Sequence, residues 1–401
     1  MRRIVLFGIL ACVAYATSAN ATPEPPGSEV TTTVTPTQIP MRISAIHKAD
    51  KSYIQALSRM ARAIEEGSGK QIRPELLTNG KKGSEEETLQ EQIHGTLEAG
   101  FTSAFTLSHQ VSAFRVLGIP LLFNKPEHVR DWMGSPLDLA LREAAKAKKL
   151  KILGYASYGF YGVLSWRAGE KAPIPDSASD PPSLDNLQVR IPRDAWMTVV
   201  HQTLGLKPFA LPTMDLAGAV SAGWIKGVVA TPELLQGTDF PMTGGAYFNM
   251  RHLHGWSIFS VNLDWFEKLP PDLQTVIENG VTSVLPKTLE QSMAQEAKLL
   301  KEWSSDGHLQ ILTPSPGETA SKVRKMALKT ASEMETLLNQ PGAVTQLWEQ
   351  NLQSASVTKP KPEGGATTQA PQGKQKKGSG DKPNGTKKTG ISSSKSDGAK
   401  P

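Results

Sequence analysis

Cysteine is nearly absent from this chain. The one cysteine, Cys12, lies in an N-terminal apolar stretch, so the rest of the chain has neither a disulfide framework nor a cysteine nucleophile. The G-x-S-x-G and H-E-x-x-H motifs of hydrolases are also missing. His252 and His254 lack the carboxylate or thiolate partners typical of metal sites, so we interpret them as core or surface histidines. We therefore expect no enzyme, no cofactor and no metal.

Long apolar runs are equally scarce. Two arginines precede the apolar residues 4–16, which are too few to span a bilayer, and residues 19–21 read Ala-Asn-Ala, as a signal peptidase requires. Residues 1–21 are thus predicted to be a signal peptide, and the mature protein is expected in the periplasm. The alternative is a lipid anchor on Cys12, because the residues before it loosely resemble a lipoprotein cleavage site.

Basic charge is concentrated at the two ends of the chain. The chain has a net charge of +6, but the tail 355–401 alone carries +7 and the body 22–354 carries −3. A mildly acidic body, with basic ends that lack interleaved aromatics, predicts no nucleic-acid partner. The Lys-rich tail is predicted to be disordered, either as a basic arm touching the cell envelope or as a solvated extension. Residues 22–40 form a Pro/Thr-rich leader.

Strand and helix patterns alternate between these ends. Residues 41–46, 150–155 and 188–191 read as strands, and a long helical stretch follows Pro270 with an interruption at Pro286. This alternation predicts an α/β fold with mostly parallel sheets.

Two helix starts carry capping signals. Ser84 and Glu87 have the spacing of a capping box. Earlier in the chain, Asp50 is predicted to cap the N-terminus of the helix that follows it. The expected apolar face of that helix comprises Tyr53, Leu57, Met60 and Ile64.

Four segments together resemble the DctP-type solute receptors of tripartite ATP-independent periplasmic (TRAP) transporters. They are residues 95–123, 150–160, 187–212 and 265–270, and the resemblance extends over about residues 41–340. It implies a two-lobed periplasmic-binding-protein fold with a long bracing helix. The expected first lobe is 41–124 plus 212–248, and the second is 125–211 plus 249–350. It also implies a receptor that hands its ligand to a membrane permease and catalyses nothing.

Arg190 is the main candidate for ligand binding. It matches the arginine that pairs with the ligand carboxylate in this family. Independently, Val189 and Ile191 flank it on a short apolar strand, where a guanidinium is costly unless an anion meets it. Its planar fork suits a carboxylate held by two hydrogen bonds. The alternative is pairing with an internal Asp or Glu.

Further candidates come from the same resemblance. Ser103 and Phe105 match a loop that lines the family's pocket, and Thr213 and Asp215 follow a Leu-Pro pair where ligand contacts also fall. Each could instead be a capped turn or a packed side chain.

Tyr161 stands where many family members have a second arginine, and Tyr158 lies nearby. We therefore expect a monocarboxylate with an apolar or aromatic body. A more lipophilic ligand on the same fold is the alternative, and the two tyrosines could instead pack in the lobe cores.

Overall fold

The computed structural model describes most of the body of the chain. The described residues are 38–48, 50–166, 184–211, 215–238, 240, 245–305 and 309–357. The predicted signal peptide, nearly all of the predicted leader and nearly all of the Lys-rich tail lie outside the described residues.

Two mixed β-sheets form the centre of the described chain. The first sheet has the strand order β2 (Ile72–Leu77), β1 (Ile39–Ser44), β3 (Ala99–Ser103), β10 (His254–Asn262) and β4 (Leu150–Phe160). The second sheet has the order β11 (Leu309–Leu312), β9 (Gly245–Phe248), β5 (Gly162–Ser165), β8 (Gly227–Ala230), β6 (Gln188–Ile191) and β7 (Lys207–Ala210).

Helices cover both sheets. They are α1 (Ser52–Gly67), α2 (Glu85–His94), α3 (Ala104–Gln110), α4 (Pro126–Trp132), α5 (Pro136–Lys146), α6 (Ala195–Thr203), α7 (Leu216–Ser221), α8 (Pro232–Leu235), α9 (Leu263–Glu267), α10 (Pro271–Val284), α11 (Thr288–Ser305), α12 (Pro316–Leu338) and α13 (Ala343–Val357). In the part of the chain that the structure describes, two short 3-10 helices, Ser112–Gly118 and Leu285–Lys287, connect neighbouring helices. Within the described residues, no helix combines the length and apolar character needed to cross a membrane.

Each sheet contains one strand that runs against the others. In the first sheet β10 is antiparallel to β3 and β4, and in the second sheet β5 is antiparallel to β8 and β9. The remaining pairings are parallel. The prediction of an α/β fold with mostly parallel sheets is therefore confirmed for the described chain.

The two antiparallel strands, β5 and β10, each follow a segment in which the chain crosses from one sheet to the other. The chain passes from β4 to β5 through Tyr161, and from β9 back to β10 through residues 249–253. The backbone N–H of Tyr161 donates to the carbonyl of Leu253 at 2.9 Å, which joins the two crossings. Sheet membership therefore changes at about residues 161 and 250, and again between β10 and β11, which lies in the second sheet. β4 belongs to the first sheet, and β8 and β9 belong to the second.

The predicted long helix braces both crossings. α10 and α11 correspond to it, and the interruption falls at Leu285–Lys287, as Pro286 predicts. Glu296 of α11 accepts a hydrogen bond from Arg251 at 2.6 Å and another from the backbone N–H of Phe160 at 3.3 Å. Arg251 also lies over the Phe160 ring at 5.1 Å. The helix thus anchors both crossing segments.

The start of α1 differs from the prediction. The helix begins at Ser52, and the residue at its cap position is Lys51, whose side chain caps nothing. Asp50 therefore does not cap it. Instead the carboxylate of Glu233 in α8 accepts from the Ser52 backbone N–H at 2.5 Å and from its hydroxyl at 3.0 Å. The helix N-terminus is satisfied by a residue distant in sequence, which local pattern cannot show.

Gly162 lies where the second sheet leaves no room for a side chain. A Cβ there would stand 2.4 Å from the Tyr247 hydroxyl and 2.5 Å from the Phe248 carbonyl oxygen. We expect Gly162→Ala to lower the free energy of unfolding by about 1–3 kcal/mol, measured by urea denaturation. Gly218→Ala is the control, because nothing lies within 4 Å of its Cβ position in α7 and alanine favours helix. Equal stability of the two variants would contradict the expectation.

Candidate functional site

The carboxyl ends of three strands of the first sheet meet around one cluster of aromatic side chains. In open α/β sheets this edge is where ligands bind. His47 follows β1, Phe105 follows β3, and Tyr161 follows β4. Together with Tyr53 of α1 and Tyr158 of β4 they form what we call the aromatic cluster.

Direct contacts hold the aromatic cluster together. The ring centroids of Tyr53 and Tyr158 are 5.5 Å apart, those of Tyr158 and Tyr161 are 6.1 Å apart, and those of Phe105 and Tyr161 are 6.2 Å apart. The hydroxyls of Tyr158 and Tyr161 lie 3.2 Å from each other. The Tyr53 hydroxyl and Nδ1 of His47 form a hydrogen bond. The cluster is therefore largely apolar, with hydroxyl groups at fixed positions.

Arg190 approaches the cluster from the second sheet. It lies on β6 between the buried residues Val189 and Ile191, and its Nε donates to the carbonyl of Leu211 at 3.0 Å. The side chain is half-buried. Burial lowers the pKa of Arg190, and the nearby Tyr161 opposes part of that change. Because burial disfavours the charged guanidinium, binding of an anion beside it would be stabilising.

His47 shows that the basic groups of both lobes lie close together. Burial, together with the smaller effect of the Lys51 and Arg190 charges, lowers the pKa of His47 to about 4. His47 is thus neutral near pH 7, and its Nδ1 can accept the Tyr53 hydroxyl. Arg190 and Lys51 form the positive side of the site.

A carboxyl group lies on the other side. Glu85 occupies the first turn of α2, and the Ser103 hydroxyl donates to its Oε2 at 2.6 Å. Burial raises the pKa of Glu85, which hydrogen bonds from Ser103 and Thr106 partly counter. Burial raises the pKa of Tyr161 to about 12, and the charge of Glu85 contributes to that rise. The charge of Glu85 therefore influences the pKa of Tyr161 in the aromatic cluster.

Side chains also connect the two lobes beside the cluster. Nε2 of His109 in α3 donates to Oδ2 of Asp194, which begins α6, at 2.8 Å. Nζ of Lys51 donates to the carbonyl of Glu233 at 3.1 Å. These contacts hold the two lobes together around the site.

Comparison with known proteins identifies the fold. A family model, DctP, described as bacterial extracellular solute-binding protein, family 7, matches residues 43–335. The chain belongs to this family. This confirms the resemblance to TRAP solute receptors and the two-lobed fold.

Individual relatives of this solute-binding protein are distant in sequence. A solute-binding protein of Verminephrobacter eiseniae is 22% identical over 242 residues, covering 60% of this chain and 70% of its own. The solved sugar acid binding protein of Advenella mimigardefordensis, in complex with galactonate, has a TM-score of 0.66 at 17% identity and covers 80% of this chain and 99% of its own. A TRAP periplasmic solute binding protein of Desulfovibrio salexigens, with bound orotic acid, has a TM-score of 0.66 at 16% identity, covering 79% and 99%.

The site residues predicted for this solute-binding protein fall into three groups. Arg190, Phe105, Tyr158 and Tyr161 come together at the aromatic cluster. Ser103 contacts Glu85, but it is the N-cap of α3 and not part of a loop, because β3 runs directly into that helix. Asp215 is exposed at the start of α7, and Thr213 lies outside the described residues.

The sequence interpretation missed His47, Tyr53 and Glu85. His47 directly follows β1, and the carboxyl end of a parallel strand is a signal that could have drawn attention to it. Tyr53 was assigned only to the apolar face of α1. Glu85 stands next to Ser84 in the capping box, where an acidic residue is usual and so attracts no notice.

Proposed function

We propose that this protein is the extracytoplasmic receptor of a TRAP-type secondary transporter and that it captures a small organic acid through Arg190. The observation that carries the proposal is the half-buried guanidinium of Arg190 beside the aromatic cluster, with its pKa lowered by burial. A carboxylate at this point would accept charge-assisted hydrogen bonds from the planar guanidinium fork.

The ligands of the relatives support the same chemical class. The Advenella protein holds galactonate and the Desulfovibrio protein holds orotic acid, and both ligands are carboxylic acids. Orotic acid also has a planar ring. A planar or apolar body is the form that an aromatic cluster accommodates best.

The composition of the cluster favours a monocarboxylate with an apolar or aromatic body. Tyr53, Phe105, Tyr158 and Tyr161 are each less than 10% exposed and offer ring surface with few hydrogen-bonding groups. Burying about 100 Å² of apolar ligand surface against them would contribute about 2.5 kcal/mol. A sugar acid would need more donors and acceptors than these side chains supply.

The remaining parts of the proposal follow from the family. Residues 1–21 would direct the protein to the periplasm, and the loaded receptor would deliver its ligand to membrane permease subunits. In this role the protein binds and releases its ligand without catalysis. A more lipophilic ligand in the same cluster is the second candidate, because the same aromatic side chains would hold it.

A titration panel tests the proposal. Isothermal titration calorimetry would compare benzoate, cyclohexanecarboxylate, succinate and gluconate with the neutral isostere benzamide. We expect the two monocarboxylates to bind, with benzamide at least about tenfold weaker, because it cannot form a charge-assisted pair with Arg190. Tighter binding of succinate or gluconate would contradict the proposed class of monocarboxylates with an apolar or aromatic body. Absence of measurable binding by every acid would contradict the receptor function. Mass spectrometry of co-purified ligand would reveal a neutral lipophile.

A further inference from the structure

We propose that the ligand of this site carries a positively charged nitrogen in addition to its carboxylate, and that Glu85 binds that nitrogen. The inference rests on the proposed function, since it concerns the opposite end of the same ligand. It concerns a residue that neither the family match nor the sequence interpretation assigns to the site.

The first support is the placement of Glu85. Its Oε2 accepts the Ser103 hydroxyl at 2.6 Å, and Ser103 begins the helix that carries Phe105. The charge of Glu85 raises the pKa values of Tyr53 and Tyr158, a lesser effect beside burial. The carboxyl group therefore lies at the edge of the aromatic cluster.

The second support is the limited use of Glu85 within the protein. An ionised carboxylate has about four acceptor positions, and the hydroxyls of Ser103 and Thr106 together with the backbone N–H of Ser103 fill three of them. Among the residues that the structure describes, no Lys or Arg side chain forms an ion pair with Glu85. By contrast, Glu98 and Glu296 are each paired with an arginine. A partly buried carboxylate without a cationic partner is destabilising, so Glu85 favours an incoming cation.

The third support is the aromatic surface beside it. Tyrosine faces attract cations through the ring quadrupole, most strongly where water is excluded. Tyr53, Tyr158 and Tyr161 are all buried, and all three respond to the charge of Glu85. An ammonium or alkylated nitrogen at this edge would meet both a carboxylate and ring faces.

The charges on the two sides of the cluster complete the argument. Arg190 and Lys51 lie close enough to His47 to lower its pKa, whereas Glu85 acts on the tyrosines. A ligand with a carboxylate alone would meet Arg190 but leave Glu85 without a cationic partner. A zwitterion matches the positive side with its carboxylate and the negative side with its nitrogen. This charge complementarity favours it over isosteres that lack the charged nitrogen.

Matched acids that differ only at the nitrogen test this inference on the full-length mature receptor. The probes are cyclohexanecarboxylate, its 4-hydroxy derivative and the 2-, 3- and 4-piperidinecarboxylates, with 3-methylbenzoate and N-methylpyridinium-3-carboxylate as a planar pair. We expect at least one zwitterion to bind at least fivefold tighter than the matched acid that lacks the charged nitrogen. A smaller preference, or equal binding of the hydroxy acid, would overturn the inference.

Two variants assign the preference to a residue. Glu85→Gln should reduce the preference for the zwitterion at least threefold, whereas Glu86→Gln, at the exposed neighbouring position on α2, should keep it. A preference unchanged in Glu85→Gln would overturn the role of Glu85. If Glu85→Gln does not fold, the wild-type preference alone decides. Absence of binding by every probe defeats the proposed function, whereas acids that bind without preference defeat only the present inference.

Discussion

Replacing Arg190 with alanine should weaken binding of the tightest monocarboxylate by about 30-fold or more, which corresponds to about 2 kcal/mol. The guanidinium of Arg190 stands at the carboxyl end of β6, half-buried and beside Tyr161. Two charge-assisted hydrogen bonds to a carboxylate at such a position exceed what a surface pair contributes, since the half-buried guanidinium is partly shielded from solvent.

Arg190→Lys separates charge from geometry. Lysine keeps the charge but lacks the planar fork, so we expect a loss smaller than that of alanine but still measurable. Arg193→Ala, at an exposed position of the same connection, is the matched control and should leave the affinity unchanged. The melting temperature of each ligand-free variant checks folding. Less than threefold loss in a folded Arg190→Ala protein would remove Arg190 from the binding mechanism.

Much of the fold follows from local sequence pattern. The predicted strand at residues 188–191 is β6, and the apolar face predicted for α1 is buried. The capping box forms as its spacing indicates, with Ser84 accepting from the Glu87 backbone N–H at 3.2 Å and Glu87 accepting from that of Ser84 at 2.8 Å. These features depend on neighbours a few residues apart, so a single sequence contains the information.

The features that escaped prediction depend on partners far apart in the chain. Ser52 and Glu233 meet although 181 residues separate them, and the pairing of β10 with β4 joins segments about 100 residues apart. Neither contact leaves a local signature. The same applies to the site: Arg190 could be singled out as a cation in an apolar strand, but Glu85 resembles any acidic residue at a helix start. Its role depends on which rings lie across from it.

Acidification from pH 7.5 to pH 5 should lower the free energy of unfolding by several kcal/mol. His201 and His254 are completely buried, and burial lowers the pKa of His201 to about 4 and that of His254 to about 3. Their hydrogen bonds fit neutral rings: Nδ1 of His201 donates to the Met197 carbonyl at 2.6 Å, and Nε2 of His254 lies 3.0 Å from the Ser157 hydroxyl.

The sign follows from which state binds the protons. A histidine has a pKa of about 6.5 in the unfolded chain. Between about pH 6.5 and pH 4 these histidines are therefore protonated in the unfolded chain but neutral in the folded core. Each of the two histidines then costs about 2 kcal/mol of stability at pH 5. Glu85 and Glu233 act in the opposite direction, because burial raises the pKa of each and the folded state therefore gains protons first. They offset part of the loss.

Urea unfolding at a series of pH values between 5 and 7.5 measures the effect. His254→Gln should reduce the slope of unfolding free energy against pH, because one of the groups that protonate only on unfolding is gone. The exposed His94 supplies the control, and His94→Gln should keep the wild-type slope. The slope separates the proton linkage from any constant loss of packing in the variant. A wild-type stability that is flat or rises toward pH 5 would contradict the expectation that the buried histidines dominate the pH dependence.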